Sequence, residues 1–166
     1  MNKTHKLVLA ALFVALTFIF TYFVKIPLPI GGYFNLGDAF IIVSAILIDP
    51  FVGILVGALA GSLSDLMGGY ALYIPFTIVA KGLEALIAGL LYNHLKGIFR
   101  YSGVILGPLV MVVIYAISYW IYLGFNAMLI SSPFDLIQAG VAIGVSLATI
   151  LVLERTQIIH RIRPRK

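Results

Sequence analysis

Apolar runs and short polar or Gly/Pro-rich breaks alternate along the whole chain. The runs lie at about 7–24, 37–49, 51–67, 74–92, 104–125 and 133–153. A helix that crosses a hydrocarbon core needs roughly 17–25 residues. Five of the runs reach that length and the second does not. A rival division joins Ala39–Ser64 into one helix kinked at Asp49-Pro50 and leaves five spans.

The positions of the basic residues decide between the two divisions. With six spans and a cytoplasmic N-terminus, nine of the eleven Lys and Arg fall inside: Lys3, Lys6, Lys96, Arg100, Arg155, Arg161, Arg163, Arg165 and Lys166. Lys25 is then outside and Lys81 is in the membrane. Five spans would put Lys96, Arg100 and the basic tail opposite the N-terminus, against the bias of Lys and Arg toward cytoplasmic loops. The sequence therefore predicts an all-α integral membrane protein of six transmembrane helices, both termini cytoplasmic, with residues 1–166 as a single membrane domain. The short second helix is expected to be shielded by protein and ended by Pro50, which cannot continue a helical ladder. Outer connections fall at Lys25–Leu36, Gly68–Leu72 and Asn126–Ser132. Inner ones are the Asp49-Pro50 turn, the basic loop Asn93–Gly103 and the tail.

Composition agrees with a membrane protein. The chain is 62% hydrophobic and only 10% charged, with a mean hydropathy of +1.12, whereas soluble domains carry about 25% charged residues. The net charge of +5 does not point to nucleic acid, because the basic residues cluster at span ends. Absence of cysteine excludes disulfides and thiolate chemistry. The first run follows Lys3 and Lys6 as in a signal peptide, but Lys25-Ile-Pro-Leu-Pro follows it instead of a small-residue cleavage site, so it reads as a retained span.

Small residues mark packing surfaces. Gly53, Gly57 and Gly61 recur at four-residue spacing in the third run, and Gly140, Gly144 and Ala148 repeat the device in the sixth. Both are expected to let helix backbones approach inside the bundle. Ala11 and Ala15 form a further small pair on the first span, suited equally to internal packing or to docking another membrane protein.

Charged and polar residues inside the runs carry the candidate chemistry. Lys81 and Glu84, three apart on a helix, share nearly one face and can pair. A charge at a helix centre in lipid costs roughly 2.5–3.5 kcal/mol on insertion scales, so such groups face a cavity or a partner. One reading is a salt bridge that locks two helices; the other is a polar floor beneath a ligand. The outer half also gathers Asn35 and Asp38 at the start of the second span, Asp65 at the end of the third, and Asp135 and Gln138 in the sixth. Some have plainer roles. Asn35 or Asp38 suits a helix cap, Ser132-Pro133-Phe134-Asp135 reads as a capping box, and Asp65 suits a counter-ion for Lys81. Asp49 and Glu154 look like ordinary charges at the inner boundary. Tyr115, Tyr119, Tyr122 and Asn126, spaced four, three and four, share one face. Tyr115 lies too deep for an interfacial belt, so that face is expected to be buried, while Trp120 suits the belt. Stacking tyrosines with an acid, a base and amides suit a small planar heterocycle.

Catalysis finds little support. There is no GxxxxGK[ST] loop for ATP, and His5, His94 and His160 lie at or beyond span ends, so no intramembrane metal site is expected. No cofactor is indicated.

The run Gly32-Tyr-Phe-Asn-Leu-Gly-Asp38, the Gly-rich third span, Gly69-Tyr70, Pro75-Phe-Thr77 and Lys81-Gly-x-Glu84 followed by Gly89 resemble the substrate-binding S components of energy-coupling factor (ECF) vitamin transporters. The likeness runs over essentially the whole chain. It is nearest the riboflavin-type branch, which includes members assigned to hydroxymethylpyrimidine and vitamin B6. The resemblance implies a vitamin site near the outer surface under the first and third loops, delivery by tilting, and partners: a membrane coupling subunit and two cytosolic ATPases. It implies a multi-pass protein of the bacterial cytoplasmic membrane, and contact of Ala11 and Ala15 with the coupling subunit. Expected ligand residues are Asn35, Asp38, Lys81, Glu84, Tyr115, Tyr119, Tyr122, Asn126 and Gln138. Hydroxymethylpyrimidine or vitamin B6 ranks first as ligand and riboflavin next. The alternative class is a self-sufficient channel or gradient-driven carrier, separable by co-purification with ATPase subunits.

Overall fold

A computed structural model describes residues 2–162; Met1 and the tail residues Arg163, Arg165 and Lys166 lie outside the described residues, as do the side chains of His160 and Arg161. The first helix, α1 (Lys3–Tyr22), is capped by the Asn2 side chain, which accepts from His5 N at 2.9 Å. Phe13, Thr17 and Thr21, four apart, face inward, while Leu7, Val8, Leu12 and Ile19 are exposed, as on a helix facing lipid.

A hairpin follows where the sequence showed only a Pro- and Gly-rich connection. Strand β1 (Ile26–Pro27) pairs antiparallel with β2 (Tyr33–Phe34), Ile26 opposite Phe34 and Pro27 opposite Tyr33. Its turn uses Gly31 and Gly32 at φ +70° and +73°, a region open chiefly to glycine.

Helix α2 (Asp38–Leu47) has ten residues, nine of them buried. A helix apolar all round needs protein on every side, and α2 has it. Helix α3 (Pro50–Gly68) starts at once, capped by Asp49, whose carboxylate accepts from Phe51 N at 2.9 Å, with Pro50 at the first position. The two helices fold back on each other: a methyl on Gly53 would stand 2.5 Å from Ala45 Cβ. One helix kinked at Asp49-Pro50 is therefore not what this segment forms. Added methyls on Gly57 and Gly61 would reach Lys81 Cβ at 2.9 Å and Thr77 Cγ2 at 2.7 Å, so the small residues of α3 are the seam with α4 (Ile74–His94).

After a 3-10 turn at Gly97–Tyr101 comes α5 (Ser102–Leu123), which presses Gly107 against α4; a methyl there would sit 2.6 Å from the Glu84 carbonyl oxygen. Gly124 alone joins α5 to α6 (Phe125–Arg155), at φ +89° and ψ 171°, a conformation essentially reserved for glycine. The expected loop Asn126–Ser132 is thus the first two turns of α6, and Ser132-Pro133 is no capping box, because Pro133 lies inside a helix already under way. At 31 residues α6 is about 46 Å long. A short α7 (Ile158–Ile162) follows.

The small stripe on α6 is a second correction. Nothing lies within 4 Å of a methyl placed on Gly140 or Gly144, and with Ala148 they face outward. Polar groups fix the rotation: Ser131, Asp135, Gln138 and Ser146 are turned inward, since polar side chains facing lipid are costly, and this carries the glycines to the opposite side.

One end of the bundle gathers Lys6 with Asp49 (3.5 Å) and Arg100 with Glu154 (2.7 Å). Glu154 also accepts from Tyr101 at 2.8 Å and from Tyr92. The start of α1 and the end of α6 therefore share that end with the Asn93–Gly103 loop. Among the described residues, five helices are long and apolar enough to cross a membrane, and α2 is a shorter apolar helix.

Candidate functional site

The hairpin covers the opposite end of the bundle, and the candidate site lies beneath it. Ser131 on α6 donates to the Ile30 carbonyl at 2.7 Å and pins the hairpin down. A methyl on Gly32 would stand 2.5 Å from the Tyr119 hydroxyl. The resulting cleft is walled by Tyr33 and Asn35 from the hairpin side, and by Tyr70 and Tyr73 from the α3–α4 connection. Its helical wall consists of Asp65, Thr77, Tyr115, Tyr119, Asp135 and Gln138. The free volume is ≈ 20 Å³, little more than the roughly 10–15 Å³ that one water requires, so the side chains close on one another.

Its polar groups form two tiers. In the upper one, Asp65 accepts from Tyr33 at 2.7 Å and from Thr77 at 2.5 Å, and Thr77 in turn accepts from Tyr115 at 3.1 Å. Burial first, and the Asp65 carboxylate next, push the Tyr33 phenol above its ordinary range, so it remains a donor at physiological pH. Across the cleft Tyr119 donates to Asp135 Oδ1 at 3.4 Å, and Asp135 Oδ2 has no hydrogen-bond partner among the described residues.

The lower tier lies behind the cleft wall. Lys81 pairs with Asp38, while its Nζ stands 3.8 Å from Glu84 and 5.5 Å from the Tyr115 ring centre. The pair expected from the i, i+3 spacing is thus the looser one. Neither carboxylate oxygen of Glu84 has a hydrogen-bond partner among the described residues. Gln138 ties the tiers together: its Nε2 donates to Asp38 at 2.7 Å, and its Oε1 accepts from Asn35 N at 2.8 Å and Nδ2 at 3.3 Å. Asn35 also takes a turn-forming bond from Gly37 N at 3.0 Å.

Of the residues singled out in the sequence, Asn35, Tyr115, Tyr119 and Gln138 line the cleft. Asp38, Lys81 and Glu84 lie beneath it. Tyr122 backs the wall, its ring centre 5.7 Å from Tyr73 and 5.4 Å from Phe76. Asn126 is exposed, because the break at Gly124 takes it out of register with Tyr119 and Tyr122. Asp65 is no counter-ion of Lys81; Asp38 takes that place. The cleft also holds Tyr33, Tyr70, Tyr73, Thr77, Asp65 and Asp135, which the sequence reading left out of the site. Glycine-tyrosine pairs at Gly32-Tyr33 and Gly69-Tyr70 were a usable signal for two of them.

The aromatic walls run on above the cleft. Tyr33 and Tyr70 rings lie 4.9 Å apart and Tyr73 lies 6.0 Å from Tyr119. Lys25 Nζ is 4.6, 5.3 and 5.6 Å from the ring centres of Tyr22, Tyr33 and Tyr70. That ammonium joins the hairpin to the end of α1 and to the α3–α4 connection. Flat rings, two carboxylates and the two amides of Asn35 and Gln138 can hold a small heteroaromatic molecule.

Comparison with known proteins gives consistent matches. The family model described as ECF-type riboflavin transporter, S component, matches residues 1–155. An uncharacterised protein of Pyrococcus woesei is 36% identical, over 79% of this chain and 90% of its own length. The thiamine precursor transporter HmpT of Lactococcus lactis is 29% identical, over 98% and 96%. A solved S component of a bacterial ECF transporter shares the fold at a TM-score of 0.72 and 22% identity, covering 94% of this chain and 97% of that one.

Proposed function

The chain belongs to the ECF-type riboflavin transporter S component family, and we propose that it is the subunit that captures a small planar heterocycle, a vitamin or vitamin precursor, for import. With several helices long and apolar enough to cross a membrane, it is a multi-pass cell-membrane protein. Its family is one of transporter components and not of enzymes.

The observation that carries the ligand reading is the tyrosine-walled cleft beneath the hairpin, with Asn35, Gln138, Asp65 and Asp135 as its polar groups. A hydroxymethylpyrimidine or vitamin B6 ring comes first and riboflavin next. The thiamine-precursor relative supports that order, and so does the narrowness of the cleft, which a single ring opens less than three fused rings. Asp38, Lys81 and Glu84 form the floor and act through Gln138.

The remainder of the proposal concerns the assembly. All of α1–α6 traverse the membrane as one domain, α2 shielded within the protein, with both termini cytoplasmic. Labelling from outside intact cells of a cysteine placed at Lys166 would contradict that topology. A membrane coupling subunit and two cytosolic ATPases supply the energy, and Ala11 and Ala15, both exposed on α1, form the docking contact. Uptake of labelled hydroxymethylpyrimidine tests the reading. It is expected to require co-expressed coupling and ATPase subunits that co-purify with this chain; full uptake by the chain alone would favour a gradient-driven carrier.

A further inference from the structure

Two carboxylates, Asp65 and Asp135, face the cleft, and its lining includes no Lys, Arg or His. They are not equivalent. Asp65 accepts from both Tyr33 and Thr77, whereas Asp135 has one long bond, 3.4 Å from Tyr119, on Oδ1 alone. Asp135 is only 3% exposed, and its Oδ2 has no partner among the described residues. A buried acceptor without a donor costs about 1–3 kcal/mol, more if charged, and native sites rarely keep one without a use. The nearest cations are committed elsewhere: Lys81 pairs with Asp38 on the tier below, and Lys25 sits among tyrosine rings above.

We propose that Asp135 Oδ2 accepts a hydrogen bond from an exocyclic amine of the ligand, which makes the substrate class an amino-substituted heteroaromatic ring. The inference rests on the heterocycle reading above and narrows it. An amino group on an electron-poor ring donates and hardly accepts, so it complements a carboxylate oxygen. A ring oxo group at that position would set acceptor against acceptor. Tyr73 and Tyr119, 6.0 Å apart and steeply inclined, supply aromatic surface beside Asp135, so that ring stacking and amine recognition take place at one wall. An aminopyrimidine fits this chemistry; an isoalloxazine offers a ring N–H and a hydroxylated pyridine offers O–H groups, but neither carries an exocyclic amine.

The test measures binding to the purified full-length protein. The probes are 4-amino-5-hydroxymethyl-2-methylpyrimidine, its 4-dimethylamino analogue and its analogue with hydrogen at position 4. Wild type is expected to bind the amine roughly 10- to 100-fold more tightly than either analogue, the range for a charge-assisted hydrogen bond. Asp135→Ala should lose the preference and bind the amine and the hydrogen analogue about equally, and measurable binding of either probe shows the variant to be folded. Equal binding of the three probes by wild type overturns the inference without any variant, as does a preference that survives in Asp135→Ala. Binding of riboflavin but of no aminopyrimidine overturns it while leaving vitamin capture standing. Binding of no heterocycle at all overturns both.

Discussion

Lys81 is the residue on which the lower tier turns. Its side chain is 3% exposed and that of its partner Asp38 is 1% exposed. Removing one member of a buried pair strands the other charge, typically at about 3–5 kcal/mol. Lys81→Met should therefore lower the melting temperature in detergent sharply. Lys81→Met/Asp38→Asn should recover most of it, because the Asn side-chain oxygen still accepts from Gln138. A double variant no more stable than the single one would show that Asp38 is not the partner. The sequence marked Lys81 as special yet suggested Glu84, three residues on, as its pair. Local spacing reveals i, i+3 neighbours, whereas Asp38 is 43 residues away and meets Lys81 only once α2 and α4 pack. Asp65 and Asp135 were equally visible but had ready explanations as counter-ion and cap. Only the folded arrangement turns both toward the cleft.

Among the elements, the hairpin was the least legible. Two residues per strand give no alternation to detect, and its position is set by long-range bonds from Ser131 and Gln138. Lys25, which the sequence placed simply outside the membrane, holds this element through three tyrosine rings. Cation–π contacts of this kind contribute about 0.5–1 kcal/mol each when exposed. Lys25→Met should leave the fold intact and speed ligand release about fivefold, measured by stopped-flow fluorescence. An unchanged release rate would mean that the hairpin is held without the ammonium. The start of α6 was misjudged for a different reason. Ser-Pro is a strong helix-start signal, and a single glycine joining two long helices leaves hardly any polar break to notice. The α3 glycines were read correctly because the Thr77 and Lys81 side chains of α4 press directly against Gly61 and Gly57. On α6 the polar residues set the inward face and the glycines lost that role.

At the scale of the whole molecule, the sequence carried most of the answer. The apolar runs correspond in order to α1–α6, and the motifs gave the family that the match over residues 1–155 shows. Capture and transport should be separable on this architecture, because the cleft and the α1 face are built from different residues. Ala11→Trp or Ala15→Trp should leave ligand affinity unchanged and abolish uptake, since bulk at a small-residue contact keeps helices apart. Normal uptake in both variants at equal expression would remove α1 from the docking contact. The central claim, that the cleft under the hairpin holds a planar heterocycle, is tested most directly by mass spectrometry of whatever is released from protein purified without added vitamin. The expected result is a stoichiometric aminopyrimidine that is absent from a Tyr119→Ala preparation of equal yield and melting temperature. Lipid alone, from protein active in uptake, would contradict it.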